Sequence, residues 1–209
     1  MVGFRDRSDA GRRLAEALAH LEGQDVVVLG IPRGGVEVAA EVAAARGWPL
    51  DIVVPRKIGA PGNPELGLGA IAPGVRVLDE RMIRTLNVPE RYLEEEIAAQ
   101  EEEIRRRTEA YRGGRPPVSL AGKVAVVVDD GVATGGTAVA AVRWARVAGA
   151  SRVILAIPVA PREAVVRLSK EADEVVVVAT PEPFFAVGQW YGRFPQTSDR
   201  EVVELLERG

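Results

Sequence analysis

The sequence has no cysteine and a single histidine, His20. Disulfide staples, thiolate nucleophiles and Cys- or His-rich metal sites are therefore outside its chemistry. Aromatic residues make up 5% of the chain, and no apolar run approaches the roughly 18 residues of a membrane span. Met1–Arg13 is charged and lacks the apolar core of an export signal, so a cytoplasmic protein with no membrane partner is expected. The formal net charge of -3 gives no electrostatic ground for nucleic-acid binding.

What the chain does have is Val and Ala, the dominant members of an apolar fraction of 47% over 209 residues. Short apolar runs bounded by turn residues read as buried strands at Val26–Ile31, Asp51–Pro55, Val124–Val128, Val153–Ile157 and Glu174–Ala179. Helical stretches lie beside them at Ser8–Glu22, Gly35–Arg46, Thr137–Ala148, Arg162–Lys170 and Asp199–Glu207. This alternation predicts an α/β fold, a three-layer α/β/α arrangement around a mostly parallel sheet, forming one domain over residues 1–209.

The regular pattern breaks in an insertion at 56–122. Gly59-Ala60-Pro61-Gly62-Asn63-Pro64 is too rich in Gly and Pro for an element interior and reads as a loop, while Leu68–Leu78 around Ala72-Pro73-Gly74 suits a hairpin. Pro89–Tyr111 predicts a long helix with Leu93, Ile97, Ile104 and Tyr111 on one stripe. Glu101, Glu102 and Glu103 each precede Arg105, Arg106 and Arg107 by four, a spacing that predicts i,i+4 ion pairs on a solvated face.

The strongest chemical signal is Val124-Ala-Val-Val-Val-Asp-Asp-Gly-Val-Ala-Thr-Gly-Gly-Thr-Ala138. A buried strand ends in Asp129 and Asp130, and the turn Gly131-Val132-Ala133-Thr134-Gly135-Gly136-Thr137 opens a helix. Glycines let a ligand approach the backbone, the helix start offers unpaired N–H groups to an anion, and Thr134 and Thr137 add hydroxyls. Two acids beside an anion site would only repel unless they serve hydroxyls, so the pattern asks for a ligand with both a phosphate and a diol. There is no Gly-Lys-Ser/Thr phosphate loop and no G-x-G-x-x-G dinucleotide turn. A second Gly-rich turn, Leu29-Gly-Ile-Pro-Arg-Gly-Gly-Val-Glu-Val38, follows the first strand and carries Arg33, Gly34 and Gly35.

The run Val126–Thr137 resembles the phosphoribosyl pyrophosphate motif of type I phosphoribosyltransferases, and the strand arrangement agrees over most of the chain outside the insertion. Within that family the chain looks most like a branch of predicted phosphoribosyltransferases whose acceptor base is open. The resemblance implies an enzyme that moves the 5-phosphoribosyl group to a small nitrogenous base with Mg²⁺, held chiefly by substrate oxygens rather than by direct protein ligands. It implies that Asp129 to Thr137 bind the ribose phosphate, with Asp130 also counted catalytic, and that Arg33 with the Gly34 and Gly35 amides holds pyrophosphate in a loop that often has a strained peptide. Arg56 and Lys57 add cations near the same sheet edge, with Lys57 in a catalytic role, and the mobile loop Arg56–Leu68 would close over the substrate.

Five of the ten aromatics fall within Pro181–Phe194. The resemblance makes 181–198 a hood, with Phe184, Phe185, Trp190 and Tyr191 beside the base. The other reading is that they seal the core or form a dimer contact, which places a homodimer among the expectations. Hypoxanthine/guanine enzymes carry an Asp where this chain has Ala133, so the acceptor is not specified. Two further functions stay open: a regulator that senses phosphoribosyl pyrophosphate without turnover, and an enzyme using the ribose-phosphate site with another leaving group.

Overall fold

The computed structural model describes residues 3–208. Five strands, β1 (Val26–Gly30), β2 (Leu50–Ile52), β6 (Val124–Val128), β7 (Arg152–Val159) and β8 (Glu174–Ala179), form a parallel sheet in the order β2-β1-β6-β7-β8. The Val-rich runs form strands because branched side chains suit a pleated surface covered on both faces. Alternation then decides which layer each residue joins. Val26, Val28, Val124, Val126, Val128, Ile154 and Ala156 pack with α1 (Arg7–Ala17) and α2 (Gly34–Arg46). Val27, Leu29, Ala125, Val127, Val153, Leu155 and Ile157 pack with α5 (Gly136–Val147) and α6 (Arg162–Leu168). The expected three-layer α/β/α architecture is what the chain forms.

Between the second and third central strands, β3 (Arg56–Ala60), β4 (Asn63–Ala72) and β5 (Val75–Leu78) make a separate antiparallel sheet, followed by α3 (Glu80–Thr85) and α4 (Glu90–Arg112). The hairpin expected at Leu68–Leu78 is β4–β5. The loop expected at Gly59–Pro64 is instead the tip of a second hairpin: Pro61-Gly62 makes the turn, and the strand register shifts on both sides of Gly59. Gly and Pro were accommodated by a turn and a bulge rather than by loss of pairing. Ile58, Leu68 and Ile71 are fully buried in the same core as Val54, Ile97 and Ile104, so both ends of the segment expected as a mobile loop are seated in the core, while its tip at residues 61–65 is exposed.

Helix α4 buries Ile97, Ile104 and Tyr111, with Leu93 partly covered, as its stripe predicts. Its ion pairs differ from the expected register. Arg107 does reach Glu103 four residues back at 2.5 Å, but Arg105 and Arg106 pair three residues back with Glu102 and Glu103, and Glu101 turns to Arg76 at 2.7 Å. Both spacings bring side chains onto one helix face, and a tertiary partner drew Glu101 away. Two arginine hydrogen bonds hold the Glu103 carboxyl down at about 2. The last helix, α7 (Asp199–Arg208), starts on a reciprocal cap in which Ser198 N donates to Glu201 Oε2 (2.7 Å) and Glu201 N donates to Ser198 Oγ (3.2 Å). Among the described residues no helix is long and apolar enough to cross a membrane.

The seating of the insertion makes a direct expectation. Leu68→Ala should cost about 2–5 kcal/mol in urea unfolding, the range for emptying a core leucine site. A cost below about 1 kcal/mol would show that β3–β4 hangs loosely on the core, as a surface loop would.

Candidate functional site

The site begins at the carboxyl ends of two neighbouring strands. Pairing of β1 with β6 sets Gly30 opposite Val128, and Ile31 N donates to Val128 O at 2.8 Å. The chain that follows each strand, Ile31–Gly35 and Asp129–Thr137, therefore emerges side by side. Crevices of this kind, outside the carboxyl ends of parallel strands, are where open α/β sheets bind ligands.

The two turns are in contact through glycine. A Cβ on Gly34 would run into the Asp130 carboxylate and come within 2.7 Å of Arg7 Nε. One on Gly35 would stand 2.8 Å from Val128 O and 2.9 Å from Asp129 Cα. Only residues without a side chain let the first turn lie on the two acids. The Pro32–Arg33 peptide in this turn is cis.

Asp129 Oδ1 accepts from Asp130 N at 2.9 Å, and Asp130 Oδ2 accepts from Arg7 Nε at 2.8 Å. Burial, then the neighbouring Asp130 charge, pushes the Asp129 carboxyl well above the usual carboxylate range. Burial also raises Asp130, against the pull of Arg7. Beyond the acids, Val132 N is taken by Val159 O at 3.0 Å, while Ala133 and Thr134 are exposed. Gly135, at φ 81, turns the chain into α5, whose first donor satisfied in the helical pattern is Val139 on Gly135 O (3.0 Å). The N–H groups of Gly136, Thr137 and Ala138 at the start of α5 precede any intrahelical acceptor and are available to an anion. Arg167 donates to the Thr134 carbonyl.

The cations divide. Arg33 is exposed, with its guanidinium 3.8 Å from Asp199 of α7. Asp199 also accepts from the Tyr111 hydroxyl at 2.7 Å; burial and that bond push Tyr111 up to about 12. Arg56, expected to face pyrophosphate, is half-buried against α4 with Nε donating to Gln100 Oε1 at 2.8 Å. Burial and the nearby Arg107 lower its pKa. Residues alternate across β3, and Arg56 falls on the α4 side. Lys57, next along the strand, is exposed.

The aromatic segment lies next to the acids but does not use all its rings alike. Phe184 stacks on Trp190 at 6.2 Å between centroids, and Phe185 is 82% exposed. Tyr191, expected beside a base, is buried between Phe4 and Phe194, with its hydroxyl donating to the Asp130 carbonyl. It is committed to the protein and has no open face for a base. One contributor lay outside the sequence reading: Arg7, one of several N-terminal arginines. Nothing in the spacing singles out Arg7, because its side-chain hydrogen-bond partners, Asp130 and Pro195, lie more than a hundred residues away.

The family profile described as "Phosphoribosyl transferase domain" matches residues 6–188. The chain belongs to the phosphoribosyltransferase family. It is similar to proteins from two strains of Mycobacterium tuberculosis whose names give a phosphoribosyl transferase activity provisionally, at 52% identity over 206 residues. Those matches cover 98% of this chain and 46% of each relative, so the chain spans about half their length. A Thermus thermophilus protein of solved structure is 47% identical, with a TM-score of 0.84 over 99% of this chain and 98% of that one. An Aquifex aeolicus protein, 15% identical with a TM-score of 0.52 over 87% and 76%, shares the fold. The phosphoribosyltransferase match spans both Gly-rich turns and the diacid.

The raised Asp129 pKa has a sign that can be checked. The native state keeps a proton that the unfolded chain has released, so stability falls as pH climbs from the ordinary carboxylate range and levels off above the raised value. Asn at 129 can still accept from Asp130 N without a charge. The melting temperature of Asp129→Asn should therefore exceed the parent's by a margin that grows with pH over that window. A margin independent of pH would take Asp129 ionisation out of the account.

Proposed function

We propose that the chain transfers the 5-phosphoribosyl group from phosphoribosyl pyrophosphate to a nitrogenous base and releases pyrophosphate. The observation that supports this reading is the contact of the Arg33-Gly34-Gly35 turn with Asp129 and Asp130, which puts backbone amides and a cation beside two carboxylates, donors for an anion next to acceptors for a diol. Family membership supports transferase chemistry; the donor, the acceptor and the metal are our reading.

In this scheme the start of α5 and the Thr134 and Thr137 hydroxyls hold the 5-phosphate, and Asp129 and Asp130 accept from ribose hydroxyls. Arg33 and the Gly34 and Gly35 amides hold the pyrophosphate, with Lys57 the exposed cation of the neighbouring hairpin. As the C1–oxygen bond breaks, charge grows on the leaving oxygens and on the sugar, and a nitrogen of the base forms the new bond to C1. The protein supplies position and fixed charge rather than a nucleophile. Among the described residues no three acidic or imidazole groups converge to hold a metal. Mg²⁺, which favours oxygen ligands and keeps several waters, suits the substrate's own pyrophosphate and hydroxyl oxygens, where it would offset leaving-group charge. Ala133 offers no side-chain proton acceptor, and the half-buried Phe184–Trp190 stack with the exposed Phe185 beside it is the aromatic surface left for a base.

Phosphoribosyl pyrophosphate with Mg²⁺ should raise the melting temperature, since a ligand of the native state stabilises it by mass action. Pyrophosphate release should then appear with at least one member of a panel of bases. No thermal shift at millimolar ligand would sink the reading, and a shift without release for any base would make the protein a sensor. Once an acceptor is found, Arg33→Ala should slow single-turnover release by roughly 2–4 kcal/mol of barrier, more than it weakens ribose 5-phosphate binding. Equal single-turnover rates would remove Arg33 from the mechanism.

A further inference from the structure

Arg7 stands where α1 begins, and its side chain is 6% exposed. A cation buried this deeply is rare unless it is paired and hydrogen-bonded. Arg7 is held through two of its nitrogens: Nε donates to Asp130 Oδ2 at 2.8 Å, Nη1 donates to the Pro195 carbonyl at 2.6 Å, and Nη1 lies 3.6 Å from Glu37 Oε1 of α2. Its guanidinium carbon also sits 3.9 Å from the Phe194 ring centroid, in cation–π contact. Directly above this arrangement is the backbone of Gly34.

We propose that Arg7 is a positioning residue of the ribose site, fixing the Asp130 carboxylate under the Arg33–Gly35 turn and locking that carboxylate to the C-terminal segment. The proposal rests on the phosphoribosyl reading of the site. Its physical basis is the crowding of charge. Asp130 has Asp129 beside it and shares Arg7 with Glu37 of α2, and its backbone carbonyl accepts from the Tyr191 hydroxyl; Arg7 is the cation in contact with its carboxylate. Without Arg7, two half-buried acids and Glu37 would share the space, and Asp130 would turn away or take up a proton. In either case it could no longer accept from a ribose hydroxyl in a fixed direction. The planar fork matters as well as the charge, because Nε and Nη1 serve Asp130 and Pro195 at once. The Tyr191 hydroxyl on the Asp130 carbonyl and the Thr197 hydroxyl on Glu37 tie the same segment to the same pair of elements. Arg7 thus acts through Asp130 and does not itself reach the ligand.

The test is isothermal titration of the full chain with two probes, ribose 5-phosphate and inorganic pyrophosphate with Mg²⁺, for the parent, Arg7→Met, Arg7→Lys, Asp130→Asn and the Arg7→Met/Asp130→Asn double variant. Arg7→Met should weaken ribose 5-phosphate binding by roughly ten- to hundredfold, the scale of one charge-assisted hydrogen bond, and leave pyrophosphate binding within about twofold. Arg7→Lys, which keeps the charge without the fork, should fall between parent and Arg7→Met. In the Asp130→Asn background, Arg7→Met should add less than about threefold, because the partner it acts through is already altered. Equal losses for both probes, or an undiminished loss in the Asp130→Asn background, would mean that Arg7 serves the fold alone and would overturn the proposal. If Arg7→Met does not fold, Arg7→Lys carries the test, and parent-like ribose 5-phosphate affinity in that variant overturns it. A parent that binds neither probe at millimolar concentration would instead overturn the phosphoribosyl reading.

Discussion

The structure depends on placing two carboxylates at the end of a buried strand and laying a second segment of backbone on top of them. Asp129 and Asp130 follow β6 directly, where burial disfavours their charges and each raises the other's cost. An ordinary turn carried over them would strike the side chains. Gly34 and Gly35 remove that obstacle, and the parallel register of β1 on β6 delivers them to the right place. Arg7 supplies the missing cation from the first helix, so three segments distant in sequence meet in one cluster. A site with this much unfavourable charge at its centre is a common price of function, since perturbed acids gather where ligands are held.

The rest of the molecule keeps that cluster in place. The C-terminal segment closes over it: Phe4 N donates to the Trp190 carbonyl at 2.8 Å, Tyr191 fills the gap between Phe4 and Phe194, and its hydroxyl ends on the Asp130 backbone. On the other side, α4 and the β3–β4 hairpin are joined by Arg56 on Gln100 and by the Tyr92 hydroxyl on the Gly59 carbonyl at 3.0 Å. Tyr111 at the end of α4 holds Asp199 of α7, which in turn faces Arg33. The insertion and the C-terminal helix are thereby linked to the Gly-rich turn through one carboxylate.

Several features were legible in the sequence because they depend on neighbours close along the chain. The five central strands, their helices and the apolar stripe of α4 are local periodicities, and each appears within a few residues of its expected bounds, although β8 at the sheet edge is half-buried rather than buried. The diacid and Gly/Thr turn were legible for the same reason: their residues are consecutive. Helix geometry alone guarantees free N–H groups at the start of α5. What was misread was also local. A Gly/Pro count cannot tell a loop from a hairpin tip, because the deciding event is the burial of Ile58 and Leu68 in a core built by other elements.

Arg7, Tyr191 and Arg56 mark where local information ends. Arg7 looks like any other charge near the N-terminus, and only folding, which brings Asp130 and Pro195 to its guanidinium, gives it a role. Tyr191 belongs to an aromatic cluster whose members were equivalent on paper; packing against Phe4 and Phe194 separated it from Phe185, which stays exposed. Arg56 was drawn to α4 by the pleat of a strand that the sequence did not announce. The sequence by itself determined the layers of the fold and the donor groups of the Gly/Thr turn, since both follow from periodicity and residue type. The tertiary structure decided which charges share a site, because electrostatic partnership depends on distance in space and no spacing along the chain encodes it.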